Sequence, residues 1–292
     1  MTVVVKIGGA AAVDPAGAIE DVAALRAAGE EVVLVHGGST AVDDLLDRLG
    51  IEPEYVETPS GVTGRFTDEA TMEAFTMAMS RVNTDLVAAC RAAGANAVGL
   101  SGVDGGLLTG ARKSAVRVVE DGKRKIRRGD HSGTIEAVNG DLLRTLLGAG
   151  YVPVAGPPML ADDGVPVNTD ADRAAAAVAA ELDATLVLLT DVAGVYADPE
   201  DPATLIDEVT TPDGFDRLSD AAEGFMGRKV MAVEEALAGG ASAAVVADAN
   251  ADRPVRAALD GAGTRVARAA VGDDADGQSE AEGVTGSEHD EG

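Results

Sequence analysis

Residues 3–38, "VVVKIGGAAAVDPAGAIEDVAALRAAGEEVVLVHGG", decide the fold because they contain one complete strand–helix–strand unit. Each end is a short apolar run rich in valine, which is typical of a strand buried on both faces of a parallel sheet. The middle segment has helical spacing of its apolar residues and a proline, Pro15, near its start. The stretch therefore predicts a βαβ unit of a parallel sheet.

The same alternation continues along the chain. Strands are predicted at residues 96–102 and 151–156, in "ATLVLLTD" and in "ASAAVVAD". Helices are predicted in "TAVDDLLDRLG", "ADRAAAAVAAELD" and "VMAVEEALAGG". This pattern favours an α/β fold, a three-layer αβα sandwich with a mostly parallel central sheet. We expect a domain boundary near residues 175–180 and disorder in the acidic tail, residues 271–292.

A basic segment interrupts this pattern. The chain has 23 Lys and Arg residues against 50 Asp and Glu, a net charge of -27. Residues 112–128, "RKSAVRVVEDGKRKIRR", nevertheless contain eight basic and two acidic residues. Asp121-Gly122 lies between β-branched residues, which is a strong signal for a β-hairpin turn. We therefore expect a basic hairpin that projects from the sheet.

The amino-acid composition indicates the cellular environment of the protein and the partners that it excludes. Acidic residues occur in nearly every segment, which indicates a salt-rich, halophilic cytoplasm and argues against nucleic-acid binding. The single cysteine, Cys90, excludes an intrachain disulfide and fits a reducing compartment. No apolar run reaches the roughly 18–20 residues that span a membrane, and no signal-peptide pattern begins the sequence. We expect a cytoplasmic protein.

Two glycine pairs, Gly8-Gly9 and Gly37-Gly38, follow the first two predicted strands. Such turns can present backbone N–H groups to phosphate, although tight βα turns also use glycine. Lys6 lies just inside the first strand, and a buried lysine needs a partner for its charge. The combination predicts a phosphate site.

Three further motifs contain candidate site residues. Arg65 in "GVTGRFTD" lies in a predicted glycine-flanked turn, where it can bind a carboxylate with both guanidinium arms or pair with Asp68 or Glu69. Lys229 in "GRKVMAVEEA" lies near the start of a predicted helix, where a cation opposes the helix dipole unless an anion is present. "TDVAGVYADP", residues 190–199, follows the most apolar strand, where α/β proteins bind ligands.

The segment "PVNTDADRAAAA" contains Asn168, Asp170 and Asp172 before a long predicted helix. One of these residues is expected to cap the helix, but capping does not require three. The P-loop, Rossmann, zinc-spacing and G-x-S-x-G patterns are all absent from the sequence.

Six segments resemble amino-acid kinases and occur in the order that the family shows: "VVVKIGGA", "VLVHGGS", "GRFTD", "VNTDADRAAA", "LLTDVAGVY" and "GRKVMAVEEAL". The resemblance covers residues 2–270 and is greatest to the acetylglutamate kinase branch. "YVETPSGVTGRFTD" and "RRGDHSGTIEAVN" resemble one sub-branch, kinases acting on glutamate or 2-aminoadipate attached to the small acidic carrier protein LysW. The sequence departs from the family at Ser39, in place of a third glycine, and at "GFMGRK", in place of Gly-Gly-Met.

The resemblance implies transfer of the γ-phosphoryl group of ATP to a side-chain carboxylate, with Mg²⁺ bridging the phosphates. It implies little ligation of Mg²⁺ by the protein, so no metal-binding residue is predicted. A carboxylate with a pKa near ~4.3 is already ionised at neutral pH, so no general base is needed. Lys6 and Lys229 would hold the phosphoryl oxygens, and Asp172 would orient the two lysines. The basic hairpin would dock the acidic carrier, although it could instead be solvated or paired with carboxylates of its own chain.

The resemblance also assigns the remaining site residues. The phosphate-binding backbone would be that of Gly8, Gly9, Gly37 and Gly38; the substrate would contact Arg65, Asn168, Gly37 and Gly38; the nucleotide would contact Thr190, Asp191, Tyr196 and Asp198; the carrier would contact Lys123, Arg124, Lys125, Arg127 and Arg128. Residues 1–175 would form a substrate-binding and dimerisation lobe, and residues 176–270 a nucleotide-binding lobe. A homodimer is expected.

Several alternatives remain open from the sequence. The first is a kinase of free N-acetyl-L-glutamate with the same fold. A carbamate or uridylate kinase is disfavoured by "SGVTGRFTD". A non-catalytic nucleotide-binding regulatory protein is disfavoured because it would not need both lysines with Asp172. Glutamate and 2-aminoadipate differ by one methylene, which is worth only about 1–3 kcal/mol of discrimination.

Overall fold

A mostly parallel sheet of eleven strands forms the centre of the computed structural model, which describes residues 1–8, 14–57, 63–120 and 123–272. The strands are β1 (Thr2–Ile7), β2 (Glu31–His36), β3 (Tyr55–Glu57), β4 (Thr63–Arg65), β5 (Ala97–Gly102), β6 (Leu108–Glu120), β7 (Lys123–Val138), β8 (Val152–Ala161), β9 (Pro166–Val167), β10 (Thr185–Thr190), β11 (Glu208–Val209), β12 (Ala243–Asp248) and β13 (Thr264–Ala267). Their order is β11-β13-β12-β10-β1-β2-β8-β6-β7, with β5 and β9 also paired to β8. Strands β3 and β4 form a separate antiparallel pair.

Helices cover both faces of this sheet. They are α1 (Ala16–Ala27), α2 (Ser39–Leu49), α3 (Glu69–Ala92), α4 (Gly140–Gly148), α5 (Ala171–Glu181), α6 (Pro212–Ala221), α7 (Gly224–Ala238) and α8 (Pro254–Leu259). Val3 and Val5 pack in a core with α1, α3 and α8, whereas Val4 packs in a core with α4, α5, α6 and α7. The predicted three-layer α/β sandwich is confirmed.

The side-chain alternation of β1 decides where its lysine points. Residues at odd positions of this strand contact the α1 face, so Lys6 shares the other face with Val4 and reaches α5. The two neighbours of β1 run parallel to it, with Lys6 opposite Leu188 of β10 and Val35 of β2. Three carboxyl ends of strands therefore meet beside Lys6.

The predicted hairpin is present as β6 and β7, which pair from Leu108 with Val138 to Glu120 with Lys123. The strands are longer than predicted, and β6 joins the sheet edge by pairing with β8. The predicted Asp121-Gly122 turn lies outside the described residues.

Other expectations concern the organisation of the chain. Residue 175 lies inside helix α5, and the sheet continues across it, so the division into lobes at 175 and 176 stays a prediction. Of the acidic tail, residues 273–292 lie outside the described residues. Among the helices that the structure describes, none combines the length and the apolar character needed to cross a membrane.

Candidate active site

The carboxyl ends of β1, β2 and β10 open into a cleft with a volume of about 1380 Å³. This exceeds the roughly 300–1,000 Å³ typical of a pocket for one small ligand, so two substrates fit together. The cleft wall unites predicted site residues from distant parts of the chain: Lys6, Gly8, Gly37, Gly38, Arg65, Asn168, Asp172, Thr190, Asp191 and Lys229.

Two lysines share one carboxylate in this cleft. Lys6 Nζ lies 2.5 Å from Asp172 Oδ1, and Lys229 Nζ lies 3.0 Å from Asp172 Oδ2. Lys6 and Asp172 are 6% and 8% exposed. Two ammonium groups and one carboxylate leave a net positive charge in a nearly dry environment, which is unfavourable without an anion. The trio is therefore suited to bind a phosphoryl group.

The three charges change one another's protonation. Burial alone would raise the pKa of Asp172, but the ammonium groups of Lys6 and Lys229 outweigh it and lower that pKa to about 2. Burial, with the repulsion of Lys6, lowers the pKa of Lys229, against the attraction of Asp172. The carboxylate therefore remains ionised far below neutral pH.

At the start of α5, Asn168, Asp170 and Asp172 make different contacts. Asp170 is the helix N-cap, and its Oδ1 accepts hydrogen bonds from the backbone N–H groups of Asp172 (2.8 Å) and Arg173 (3.1 Å). This cap leaves the carboxylate of Asp172 available for the lysines. Asn168 precedes the helix, and its Nδ2 donates to Thr67 Oγ1 at 3.1 Å.

Helix α7 supplies Lys229 from its second turn rather than near its start, because the helix begins at Gly224. The helix predicted from the sequence, which starts at Val230, therefore begins too late. The first turn has no acidic residue and no side-chain N-cap hydrogen bond. Phe225 and Arg228 from these turns also line the cleft, and Arg228 lies over the Phe225 ring at 5.4 Å.

The predicted glycines line the end of the cleft near β1 and β2. Gly8, Gly37 and Gly38 belong to the cleft wall, whereas Gly9 lies outside the described residues. A Cβ at Gly38 would lie 2.8 Å from Met79 Sδ, so a side chain does not fit there without movement. The Gly37 N–H donates a long hydrogen bond (3.4 Å) to the carbonyl of Ile7, which a phosphate would have to replace.

Arg65 lies at the end of strand β4 and forms an ion pair that sequence analysis did not identify. Its Nη1 lies 2.5 Å from Asp43 Oδ1, and its Nη2 donates to Tyr55 Oη at 2.9 Å. The alternative ion pair of Arg65 with Asp68 or Glu69 does not occur among the described residues: Asp68 instead caps α3, accepting from Thr71 N at 2.8 Å. The placement of Arg65 in a turn was also wrong.

Tyr55 completes the cluster around Arg65. Its hydroxyl donates to Asp43 Oδ2 at 2.9 Å, and the Arg65 guanidinium lies 5.0 Å from its ring centre. Burial raises the pKa of Tyr55, with a further contribution from Asp43 and opposition from Arg65. The three side chains form one wall of the cleft.

The predicted nucleotide residues divide into two groups. Thr190 and Asp191 line the cleft, and Thr190 Oγ1 donates to Asp191 Oδ1 at 3.1 Å. Tyr196 and Asp198 lie beyond the cleft wall defined by the described residues. Tyr196 forms a β-bridge with Leu205, and Asp198 Oδ1 accepts from Glu200 N at 3.0 Å.

His36, which sequence analysis left unassigned, is buried at the end of β2. Its Nε2 lies 3.0 Å from Asn83 Nδ2, which can only donate, so the imidazole proton belongs on Nδ1, 3.3 Å from the Gly37 carbonyl. Burial, with Lys6 nearby, lowers the pKa of His36 to about 4, against the bond to Gly37. The sequence signal that could have identified His36 is its position between an apolar run and a glycine pair.

The predicted docking residues lie on both faces of the hairpin. Lys123, Arg124, Lys125 and Arg128 are exposed, whereas Arg127 is half-buried. Arg127 pairs with Glu54 (Nη2 to Oε2, 3.0 Å) and lies over the Phe66 ring at 4.1 Å.

Cross-strand register defines an outer face of the hairpin. Arg117 lies opposite Ile126, Val119 opposite Arg124, and Ala115 opposite Arg128, and directly opposed residues share a face. Ile126 is 68% exposed in the middle of three arginines. The outer face, defined here as Arg117, Arg124, Ile126 and Arg128, is therefore a basic surface with an apolar centre.

A parallel α/β sheet whose carboxyl edge holds two lysines on one carboxylate is the architecture of a phosphotransferase. The chain belongs to the amino acid kinase family, whose sequence profile matches residues 1–248. The protein is an enzyme of this kinase class.

Relatives with kinase names are similar over nearly their whole length. The [LysW]-aminoadipate kinase of Deinococcus radiodurans is 45% identical over 266 residues, covering 90% of this chain and 91% of that protein. The [LysW]-aminoadipate kinase of Thermus thermophilus is 43% identical, covering 90% and 99%. The [LysW]-aminoadipate/[LysW]-glutamate kinase of Saccharolobus islandicus is 34% identical, covering 90% and 98%.

Solved structures share the fold. N-acetylglutamate synthase from Neisseria gonorrhoeae, in complex with coenzyme A and N-acetylglutamate, superposes with a TM-score of 0.72 at 25% identity. The match covers 91% of this chain but 59% of that longer protein. Giardia carbamate kinase superposes with a TM-score of 0.63 at 18% identity, covering 91% and 98%, which shows the fold alone.

Proposed function

We propose that the protein transfers the γ-phosphoryl group of ATP to the side-chain carboxylate of glutamate or 2-aminoadipate attached to the carrier protein LysW. The products are an acyl phosphate and ADP, in arginine or lysine biosynthesis. The Lys6–Asp172–Lys229 trio is the observation that supports the chemistry. The names of the similar kinases from Deinococcus and Thermus support the carrier-bound substrate.

The reaction requires positioning and charge neutralisation rather than proton transfer. An oxygen of the ionised substrate carboxylate attacks the γ-phosphorus in line with the bond to the bridging oxygen. That bond breaks and its electron pair leaves with ADP. Lys6 and Lys229 approach Asp172 from two sides, so their ammonium groups can contact different oxygens of the transferring group. Asp172 keeps the two cations apart in the required geometry.

We propose that Arg65 and Asn168 bind the amino-acid part of the substrate. A guanidinium binds a carboxylate with two parallel hydrogen bonds, so the substrate α-carboxylate would compete with Asp43 for Arg65. Asn168 retains its side-chain oxygen for the linking amide while its Nδ2 donates to Thr67. Gly37 and Gly38 would approach the reacting carboxylate closely because they have no side chains.

We assign the nucleotide to the C-terminal lobe, residues 176–270, beside Thr190 and Asp191. Contacts from Tyr196 and Asp198 stay predictions. When bound, Mg²⁺ offsets the charge of the β- and γ-phosphates. Asp170 and Asp191 line the cleft and would offer this ion carboxylate oxygens beside the phosphate oxygens and waters that it usually keeps. Among the described residues no cluster of three or more metal-binding side chains occurs.

We assign the carrier to the basic hairpin. A positively charged projection on a chain with a net charge of -27 complements an acidic partner, steers the encounter and fixes its orientation. Lys123, Arg124, Lys125 and Arg128 are exposed for this contact, whereas Arg127 also holds the hairpin to Glu54. A cytoplasmic homodimer, with the lobe of residues 1–175 at its interface, completes the proposal.

The test is ATP-dependent acyl phosphate formation, trapped with hydroxylamine in high salt. Three acceptors are compared: free N-acetylglutamate, the carrier ending in glutamate and the carrier bearing 2-aminoadipate. Turnover confined to the carrier-bound acceptors is expected, and their ratio identifies the pathway. Turnover of free N-acetylglutamate at an equal or greater kcat/KM would refute the carrier and leave the kinase chemistry intact.

A further inference from the structure

One buried carboxylate at the root of the hairpin has no role in the chemistry above. Asp130 on β7 is 1% exposed, although Arg128 and Gly129 just before it are exposed. Its Oδ1 accepts a hydrogen bond from the backbone N–H of Thr67 at 3.0 Å, and its Oδ2 accepts from Ser132 Oγ. Among the described residues no lysine, arginine or histidine forms an ion pair with it.

The backbone explains why Asp130 turns inward. Strands β6 and β7 change register between Lys113 and Ala115, and Gly129 has a φ of 88°, which glycine adopts without strain. A bulge of this kind bends a strand and re-aims its side chains. The hairpin beyond Gly129 is therefore exposed, and the part that follows it lines the cleft.

Thr67, the partner of Asp130, is a junction between three segments. It is fully buried; its carbonyl accepts from His131 N at 2.7 Å, and its Oγ1 accepts from Asn168 Nδ2 at 3.1 Å. Asn168 N donates to the His131 carbonyl and Gly133 N donates to the Asn168 carbonyl, both at 2.8 Å. These bonds close a ring through the segment after β4, the root of β7 and the segment that leads into α5.

Each segment of this ring contains or adjoins a residue that we assign to binding the substrate or the carrier. Arg65, which grips the substrate, is two residues before Thr67, and Phe66 between them lies under the Arg127 guanidinium. Asn168 is itself a member of the ring. The outer face of the hairpin ends at Arg128, two residues before Asp130. The ring therefore joins the surface where the carrier would dock to the groups that would hold its substrate.

A buried carboxylate is an unusual choice for this position. Its burial is unfavourable unless its oxygens are well hydrogen-bonded, and a neutral acceptor would satisfy the same two donors. A charged acceptor holds an N–H and a hydroxyl more strongly and at shorter distance than a neutral acceptor does. A displacement of about 1 Å in an active site can reduce the reaction rate by about 10²-fold. A rigid network at this position therefore offsets the unfavourable burial of the carboxylate.

We infer that Asp130 is a positioning residue that fixes Arg65 and Asn168 relative to the hairpin, so that a docked carrier delivers its substrate carboxylate in register. This inference rests on the proposed function. Asp130 acts through Thr67 and Ser132 and does not need to touch the reacting atoms. Carrier docking and substrate grip are then parts of one rigid unit.

Two substitutions at Asp130 and one elsewhere test the inference. Asp130→Ala removes both acceptors; Asp130→Asn keeps an acceptor for Thr67 N and offers a donor to Ser132 Oγ. Asp21→Ala is the matched control, because Asp21 is 2% exposed and its Oδ2 accepts from Val255 N (2.9 Å) and Arg256 N (3.1 Å), away from the cleft wall. Each variant is purified, its melting temperature is measured, and its steady-state kinetics are recorded below that temperature.

The expected pattern separates positioning from general stability. Asp130→Ala should raise KM for the carrier-bound substrate about tenfold and lower kcat, with KM for ATP unchanged. Asp130→Asn should recover part of this loss, because its amide oxygen keeps the bond to Thr67 N but lacks the charge. Asp21→Ala should lower the melting temperature and leave both KM values unchanged. Equal kinetics for Asp130→Ala and Asp21→Ala, or no recovery in Asp130→Asn, would overturn the inference.

A second pair of variants covers the case in which Asp130→Ala does not fold. Thr67→Val removes the Oγ1 acceptor of Asn168 with little change of shape, and Thr67→Ser keeps it. Thr67→Val should raise the same KM about threefold or more, and Thr67→Ser should not. Unchanged kinetics in Thr67→Val would refute the ring as a positioning device.

The kinetics of the unsubstituted enzyme show whether the proposed function itself has failed. If it turns over free N-acetylglutamate at an equal or greater kcat/KM, the carrier assignment is wrong, and the same variants are then measured with N-acetylglutamate. A raised KM for that acceptor in Asp130→Ala, with recovery in Asp130→Asn, would uphold the positioning of Arg65 and Asn168. An unchanged KM would refute it independently.

Discussion

Lys6 and Lys229 approach the two oxygens of one carboxylate from different layers of the fold, strand β1 and helix α7. Neither residue could hold its charge in this position alone, because each is nearly buried. Asp172 makes their approach possible and leaves one positive charge in excess. This geometry supports the phosphoryl-binding role proposed for the site.

Removing either ammonium group should abolish most of the chemistry. Lys6→Ala and Lys229→Ala should each lower kcat by about 10²–10³-fold, the usual effect of deleting a group that stabilises transition-state charge. Acyl phosphate formation under saturating substrates is the measurement. Arg81→Ala, which removes a cation from an exposed ion pair with Asp85, is the control and should retain normal turnover. Near-normal kcat in both lysine variants would exclude the proposed mechanism.

Neutralising the shared carboxylate should destabilise the fold. Asp172→Asn leaves two buried ammonium groups without a counter-charge, and breaking a buried pair in this way costs about 3–5 kcal/mol. Urea unfolding measures the loss. Adding Lys229→Met to Asp172→Asn should recover part of it by removing one unpaired cation. A double variant no more stable than Asp172→Asn alone would contradict this account of the trio.

The outer face of the hairpin should govern recognition without affecting ATP. Replacing Arg117, Arg124 and Arg128 with serine should raise KM for the carrier-bound substrate and weaken its dependence on salt. The matched control replaces Arg48, Arg81 and Arg217, three exposed arginines elsewhere, so that both variants lose the same charge. Equal KM values for these two variants at low salt would argue against docking on this face.

His36 should make stability depend on pH. Its pKa is about 4 in the folded state against the ordinary value of 6.5 in the unfolded chain, which therefore binds the proton first as the pH falls. The contribution is complete above pH 6.5 and is lost towards pH 4, on the order of 3 kcal/mol in all. Urea unfolding of the native chain and of His36→Gln at pH 7, 6 and 5 should show a smaller decline in the variant. Parallel declines would refute the assignment.

The sequence predicted the parts of the site that depend on local pattern. Lys6 stood out because a lysine in a valine-rich strand needs a partner, and the group of Asn168, Asp170 and Asp172 stood out because capping a helix does not require three such residues. The role of Asp172 itself was implied by the family resemblance. Both features follow from strand alternation and helix capping, which neighbouring residues determine. The positions of β1, β2, β5, β8, β10 and β12 followed from the same rules, whereas the short strands β9, β11 and β13 were not predicted.

The parts that depend on long-range packing were not predicted. Arg65 pairs with Asp43, 22 residues away, because the tertiary fold brings the end of β4 to this residue of α2, and no local pattern carries that information. The 24-residue helix α3 was also not identified, although Asp68 caps it. Asp130 looked like any acidic residue of a basic segment until the bulge at Gly129 turned it inward.

The cluster of Tyr55, Asp43 and Arg65 gives the protein an intrinsic optical signal. The chain has no tryptophan and three tyrosines, so its ultraviolet fluorescence comes from tyrosine alone. A carboxylate hydrogen-bonded to a phenol quenches that emission, and Tyr55 Oη lies 2.9 Å from Asp43 Oδ2. A substrate that takes Arg65 away from Asp43 alters this quenching. Titration in a fluorimeter can then follow occupancy of the cleft without a label.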